Sequence, residues 1–167
     1  MVTTRVPVAA DAEPAARCNL ECWREAYADL VAPERLAELV ADVDERVELW
    51  RQIIAGPVTV RLAQDGGTIV GFASVGPPLE PDAGTDRQLY AIYVRQAYWG
   101  TGLGHRLLAE TLGDASALLW VFRDNARAVA FYTRHGFVPD GAEQEEPRFG
   151  GTEIRMVRHR IACPTAP

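Results

Sequence analysis

Residues 94–110 read VRQAYWGTGLGHRLLAE. Upstream, Gln88–Val94 (QLYAIYV) has the β-branched and aromatic content of a strand. Downstream, Gly102–Leu112 carries apolar residues at helical spacing. Glycines at 100, 102 and 104 lie between. A helix start offers free N–H groups and the positive end of the helix dipole, and glycine lets a ligand approach that backbone closely. The stretch therefore reads as an anion cradle. The same glycines would also serve a tight turn or close helix packing. Two nucleotide readings fail. A dinucleotide fingerprint GxGxxG breaks at His105, or at Leu107 in the other register, and this strand–turn–helix unit comes behind three helices and a hairpin. A GxxxxGK[ST] loop is impossible because all 17 basic residues are arginine.

Working outward, Thr4–Ala9 reads as a first strand and residues 11–31 as an amphipathic helix, with Cys18, Cys22, Ala26 and Leu30 on one face. Pro33 opens a second helix at its first turn. Asp44 is expected to cap a third helix (ERVELWRQII) that ends at Gly56–Pro57. The period then shortens. Pro57–Gln64 and Thr68–Val75 alternate around the turn Asp65-Gly66-Gly67, as a hairpin does. A Pro/Gly/Asp-rich loop spans Gly76–Arg87. Beyond the glycine turn come a strand at Ala117–Phe122, a helix at Asn125–His135, and strands near Phe137–Gln144 and Thr152–His159. The order βααα-ββ-βα-βα-ββ predicts an α/β (α+β) fold, a mixed sheet in one domain covering 1–167, with a core over about 4–160 and a loose tail at 161–167.

Composition narrows the function. At 48% hydrophobic and 24% charged residues, the chain has the balance of a globular domain. A net charge of −6 makes it a poor general binder of nucleic acid and better suited to cationic partners. The N-terminus lacks the apolar core of a signal peptide, and no apolar run approaches membrane-spanning length, so the expectation is a cytoplasmic protein without a membrane partner. The three cysteines (18, 22 and 163) form no metal-ligand pattern and read as reduced thiols, so no metal site is expected. The absence of lysine excludes Schiff-base catalysis.

LYAIYVRQAYWGTGLGHRLL resembles the central motif of the GNAT superfamily of N-acetyltransferases: a strand, then [QR]-x-x-G-x-[GA], then a helix. Trp99 stands where the family usually has Gln or Arg. ALLWVFRDNARAVAFYTRHGFVPDG resembles the next block of the family, with Asn125, Ala128, Phe131-Tyr132 and Gly136-Phe137 at family spacing. CWREAYADLVAPERL resembles its helical front, so the likeness runs from about Arg5 to Arg158. It implies a mostly antiparallel sheet splayed at the central strand and flanked by helices. It implies acetyl-CoA as co-substrate, a small-molecule or peptide amine as acceptor, and homodimers as a common state.

The resemblance also implies residue roles. Trp99, Gly100, Thr101, Gly102, Leu103, Gly104 and His105 would cradle the pyrophosphate. Ile92 and Val94 would pair with the pantetheine arm, and the Val94 N–H would meet the oxyanion. Tyr132, two helical turns after Asn125, would protonate the leaving thiolate or else only pack, while Phe131 would point into the core. Asn125 would touch the coenzyme, cap its helix, or do both. The base is open. Many members carry Glu where this chain has Gln88, which leaves Asp86 or Glu80 acting through water, Tyr90 as a relay, or solvent alone. Trp23 and Tyr27 on the first helix either wall the acceptor pocket or belong to the core, and Tyr90 is a further substrate contact. Glu143, Glu145 and Glu146 either attract a cationic amine or form a solvated charge run. An acyl-CoA-binding regulatory domain without turnover is the alternative, favoured by Gln88.

Overall fold

A computed structural model describes residues 1–80 and 84–160. A seven-stranded sheet carries the chain: β1 (Thr3–Arg5), β2 (Thr59–Asp65), β3 (Thr68–Gly76), β4 (Gln88–Val94), β5 (Ala117–Phe122), β6 (Val138–Glu146) and β7 (Gly151–Arg158), in the spatial order β1-β2-β3-β4-β5-β7-β6. Every neighbouring pair is antiparallel except β4–β5. Helices α1 (Ala12–Tyr27), α2 (Pro33–Leu39) and α3 (Val43–Ala55) cover one face, and α4 (Leu103–Leu112) and α5 (Ala126–Arg134) the other.

Periodicity explains the two layers. On α1, Ala15, Cys18 and Cys22 recur at helical spacing and pack with Trp50 of α3 against Leu62 and Phe72 of the sheet. Trp50 meets Phe72 edge-on at 4.8 Å between ring centroids; burying one such side chain contributes roughly 1.5–3 kcal/mol. On the opposite face, Leu103 and Leu107 of α4 pack on Ala63, Val70 and Ala73. Along β5, Ala117, Leu119 and Val121 face the α4/α5 side, whereas Phe122 faces α1. That is the period-2 alternation of a strand covered on both faces.

The parallel pair decides where a ligand can enter. β4 and β5 are in register at one place only, Gln88 opposite Leu118, with the Leu118 N–H donating to the Arg87 carbonyl at 3.0 Å. Beyond it β4 stays with β3 as far as Val94 opposite Gly71, while β5 stays with β7 as far as Phe122 opposite Glu153. The sheet therefore splits into a V that opens toward the carboxyl end of β4.

Three expected boundaries move. β1 is only Thr3–Arg5, because Pro7 has no N–H for a ladder and Asp11 draws the following residues into a turn: its carboxylate accepts the Val8 N–H at 2.7 Å and grips Arg5 at 2.6 and 2.7 Å. α1 ends at Tyr27, where Leu30 and Val31 fold their N–H groups back onto the Tyr27 carbonyl. Asp42, not Asp44, caps α3, accepting the Glu45 N–H at 2.8 Å; Asp44 and Glu45 lie in the first turn, where their charge suits the helix dipole. The expected tail at 161–167 and residues 81–83 of the expected loop lie outside the described residues.

Candidate active site

The V opens into a cleft of about 1140 Å³ that runs from the glycine turn, past the end of β4, to an aromatic wall under α1 and β7. Its floor follows from strand alternation. The Arg95 N–H donates to Val70 on β3 at 2.9 Å, and Tyr93 lies opposite Phe72. Backbone groups alternate along an antiparallel pair, so Ile92 and Val94 turn their N–H groups away from β3, into the V.

The turn is held from both sides. Glu25 on α1 accepts from the Arg95 side chain at 2.9 Å and from the Gln96 N–H at 2.6 Å. The Tyr98 hydroxyl donates to Asp65 at 3.0 Å, and the Trp99 indole N–H donates to the Val94 carbonyl at 2.7 Å. Gly100 and Gly102 have φ of 75° and 86°, a region that side chains rarely adopt, and a Cβ on either would meet nothing within 4 Å. Gly102 is the N-cap of α4 without a side-chain cap, and Arg106 is the first residue to bond back to it, at 3.1 Å. The N–H groups of Leu103, Gly104 and His105 are thus free of helix partners. Leu103 keeps its side chain in the core, so it can serve a ligand only through its backbone, and Thr101 donates back to the Tyr98 carbonyl through its hydroxyl at 2.7 Å and its N–H at 3.4 Å. Gly104 has a packing role: a Cβ there would stand 3.3 Å from Phe131.

Charge is spread unevenly along the cleft. The α4/α5 end is lined by Arg127, Arg134, His105 and His135, whereas the acidic lining residues, Glu80, Glu146 and Glu153, lie at the other end together with Arg46 and Arg148. Arg127 stacks 3.4 Å over the Trp99 ring. His135 Nδ1 donates to the Phe131 carbonyl at 2.8 Å, and its Nε2 shares a hydrogen bond with His105 Nδ1, 2.9 Å away.

Tyr132 is buried on α5 and lines the cleft beside the end of β4. Burial pushes its phenol well above the usual tyrosine range. Among the described residues its hydroxyl has no hydrogen-bond partner, yet Trp23 Nε1 is the sole sealed side-chain polar atom without one, so the Tyr132 oxygen opens onto the cleft. Asn125 caps α5 by accepting the Ala128 N–H at 3.1 Å and also lines the cleft. Phe131 is half-buried: it packs against the α4/α5 core as expected, and also against Gly104 and His135 at the cleft.

The α1/β7 end of the cleft differs most from expectation. Asp86 is exposed and does not line the cleft. Glu80 lines it but is engaged by the Trp120 indole and by Arg155. Tyr90 also lines it, its hydroxyl donating to the Pro77 carbonyl. Gln88 is buried and accepts the Leu79 N–H at 2.9 Å, a structural use of its amide. Trp23 and Tyr27 are only 6% and 9% exposed, packed with Phe122 and Phe149 into a wall behind the pocket. The Tyr27 hydroxyl meets that of Tyr93 at 2.7 Å. Glu143 pairs with Arg123, Glu145 accepts from Thr152 at 3.1 Å, and Glu146 holds Arg148 at 2.7 Å.

Sequence reasoning missed Tyr93, Arg46 and Glu153. Tyr93 could have been found, since it shares a strand with Ile92 and Val94. Glu153 could not, because its place depends on β7 lying beside β5 in one register. Cys18 and Cys22 are buried with their sulfurs 3.9 Å apart; that contact and burial raise the Cys22 thiol far above its usual range, which suits packing rather than nucleophilic attack. Among the described residues no three His, Cys, Asp or Glu side chains group as metal ligands, and no helix is long and apolar enough to cross a membrane.

Known proteins resemble this chain in sequence and fold. The chain is 29% identical over 164 residues to the uncharacterized N-acetyltransferase YuaI of Bacillus subtilis (strain 168), covering 94% of this chain and 91% of that protein. It is 33% identical over 111 residues to the N-alpha-acetyltransferase RimI of Mycobacterium tuberculosis (strain ATCC 25618 / H37Rv), covering 62% and 66%. The PaiA N-acetyltransferase of Thermoplasma acidophilum, solved in complex with coenzyme A, superposes with a TM-score of 0.74 at 19% identity, over 95% of this chain and 99% of that one. The sequence model of the Acetyltransferase (GNAT) family matches residues 21–137, and the chain belongs to that family.

Proposed function

We propose that this protein is an acyl-CoA-dependent N-acetyltransferase that passes the acetyl group of acetyl-CoA directly to a primary amine. Membership of the acetyltransferase family supports the coarser half of this reading. One observation carries the finer half: Ile92 and Val94 N–H groups, the glycine turn and the Tyr132 hydroxyl all border one cleft. The free N–H groups of α4 and the nearby Arg127 and Arg134 suit the phosphates of the coenzyme. The edge of β4 suits the amides of the pantetheine arm. At the end of that edge, the Val94 N–H can meet the oxygen that gains charge as the amine attacks. Tyr132 holds its proton firmly and can release it to the departing sulfur. The buried Cys22 argues against an acyl-enzyme. RimI, named as an N-alpha-acetyltransferase, supports a primary amine as acceptor.

The rival reading, an acyl-CoA-binding regulatory domain without turnover, rests on Gln88 standing where an acid is common. Two measurements separate them. Acetyl-CoA and CoA, but not NAD, should raise the thermal midpoint, by an amount equivalent to about 2.7 kcal/mol at a hundredfold excess over the dissociation constant. Thiol release with an amine panel should then exceed release without amine. Binding without turnover would favour the regulatory reading, and no binding at all would sink both.

A further inference from the structure

The ion pairs of the acceptor end leave two charges over. Arg148 is bound to Glu146, and Arg155 joins Glu80 and Asp140. The Arg46 side chain on α3 makes no ion pair or hydrogen bond with any described residue. Its guanidinium stacks 4.2 Å over the Trp23 ring, half-buried and lining the cleft. Glu153 on β7 is also half-buried in the lining; its partner is the neutral Gln144 amide at 2.8 Å, with no cation in ion-pair range among the described residues. The two lie at either end of one row of rings. Trp23 under Arg46 contacts Phe149 at 5.1 Å, Phe149 contacts Phe122 at 6.0 Å, and Phe122 lies opposite Glu153 in the β5–β7 register. Both charges also act on the Tyr93 hydroxyl.

Half-burying one cation and one carboxylate without partners is unfavourable unless something else pairs them. We propose that the acceptor is a free α-amino acid with an apolar side chain, its carboxylate on Arg46, its ammonium on Glu153 and its side chain against the aromatic wall. This rests on the transfer reading above. A single cation and a single anion match a zwitterion, whereas a polyamine would leave Arg46 unpaired and a peptide N-terminus would bring an amide to it. The ring faces and Leu49 suit an apolar side chain better than a charged one. In the reaction the ammonium gives one proton to Glu153. The freed nitrogen forms its bond to the thioester carbon, and the carbon–sulfur bond breaks. The sulfur takes the Tyr132 proton, and the second proton lost by nitrogen returns through water to Tyr132.

The test uses the full chain with acetyl-CoA and three matched acceptors: L-phenylalanine, L-phenylalaninamide and phenethylamine, followed by the other common amino acids. The expected result is a kcat/KM for an apolar amino acid about 10- to 100-fold above its amide and amine, the range of a charge-assisted pair. Arg46→Met, which still covers Trp23, should raise KM for the amino acid by a similar factor and affect the amide and amine far less. Glu153→Gln should lower kcat/KM for all three and remove the acidic limb of the pH profile. Equal rates for acid, amide and amine would overturn the proposal. So would an equal effect of Arg46→Met on all three, or amino acids that neither react nor bind the CoA-loaded protein by calorimetry. Amine-dependent thiol release with another acceptor of the panel in those cases leaves the transfer reading standing.

Discussion

Burial acts on Tyr132 and Glu153 in opposite functional directions. For Tyr132 it disfavours the phenolate, so the group is a proton donor throughout the working range. Tyr132→Phe should lower kcat by about 100-fold while the coenzyme-induced midpoint shift persists. Wild-type kcat should show no alkaline loss assignable to this phenol below pH of about 10, the ordinary tyrosine value; an alkaline limb below pH 9 that vanishes in the Phe variant would contradict the assignment. For Glu153 burial raises the carboxyl above its usual range. The folded state then binds the proton more tightly than the unfolded chain. Stability falls as pH rises from the ordinary glutamate value, about 4.3, through the raised folded value. Glu153→Gln removes that cost, so the variant should melt above wild type at pH 7.5, with the gap closing near pH 4. Thermal scans across that range check it, and a variant that melts below wild type at both ends would point to a packing role.

Among the elements, the strand–turn–helix from Gln88 to Leu112 was legible because its signals are local: β-branched and aromatic residues, three glycines, then helical periodicity. The same stretch supplied the proposed anion cradle. The three glycines nevertheless differ. Gly100 and Gly102 hold positive φ beside open space, whereas Gly104 sits in ordinary helix against Phe131. Gly102→Ala should cost about 1–2 kcal/mol of stability through the left-handed backbone and weaken coenzyme binding by turning the first N–H groups. Gly104→Ala gains up to about 1 kcal/mol in helix propensity against one tight contact, and coenzyme binding should survive. Urea midpoints and coenzyme titrations on the two variants read this contrast; equal loss of binding would mean that the anion sits over both. The acceptor end was illegible for the opposite reason. Glu153, Arg46 and Phe149 come from β7, α3 and the loop before β7, and only the register of β5 with β7 and the packing of α3 beside α1 gather them. Asp86 looked suitable by sequence proximity to β4, but the bend of its loop leaves it in solvent.

Across the whole molecule, the site depends on holding two half-sheets apart, and the α1 side of that frame is anchored at both ends. At its far end Glu25 grips Arg95 and the Gln96 N–H beside the glycine turn. At its near end Asp11, 6% exposed, binds Arg5 of β1 through both carboxylate oxygens and also accepts the Val8 N–H. Arg5 in turn donates to Gln64 on β2 at 2.9 Å, so one carboxylate ties the start of α1 to the sheet edge. The Arg5 hydrogen bonds, aided by the Val8 N–H, lower the Asp11 carboxyl below its usual range despite burial. A depressed pKa means that the unfolded chain binds the proton more tightly. The stabilisation is therefore complete above the ordinary aspartate value, about 3.9, and is lost as pH falls through the folded value. Asp11→Asn should cost about 1–2 kcal/mol at pH 7, the lower range for a charge-assisted pair because Arg5 remains partly exposed. The difference from wild type should shrink below pH 4, where the wild-type carboxylate itself takes up a proton. Urea unfolding of both proteins at pH 7 and pH 3.5 measures the two gaps. A gap that stays constant with pH would assign the effect to the geometry of the Val8 turn and not to the charge of Asp11.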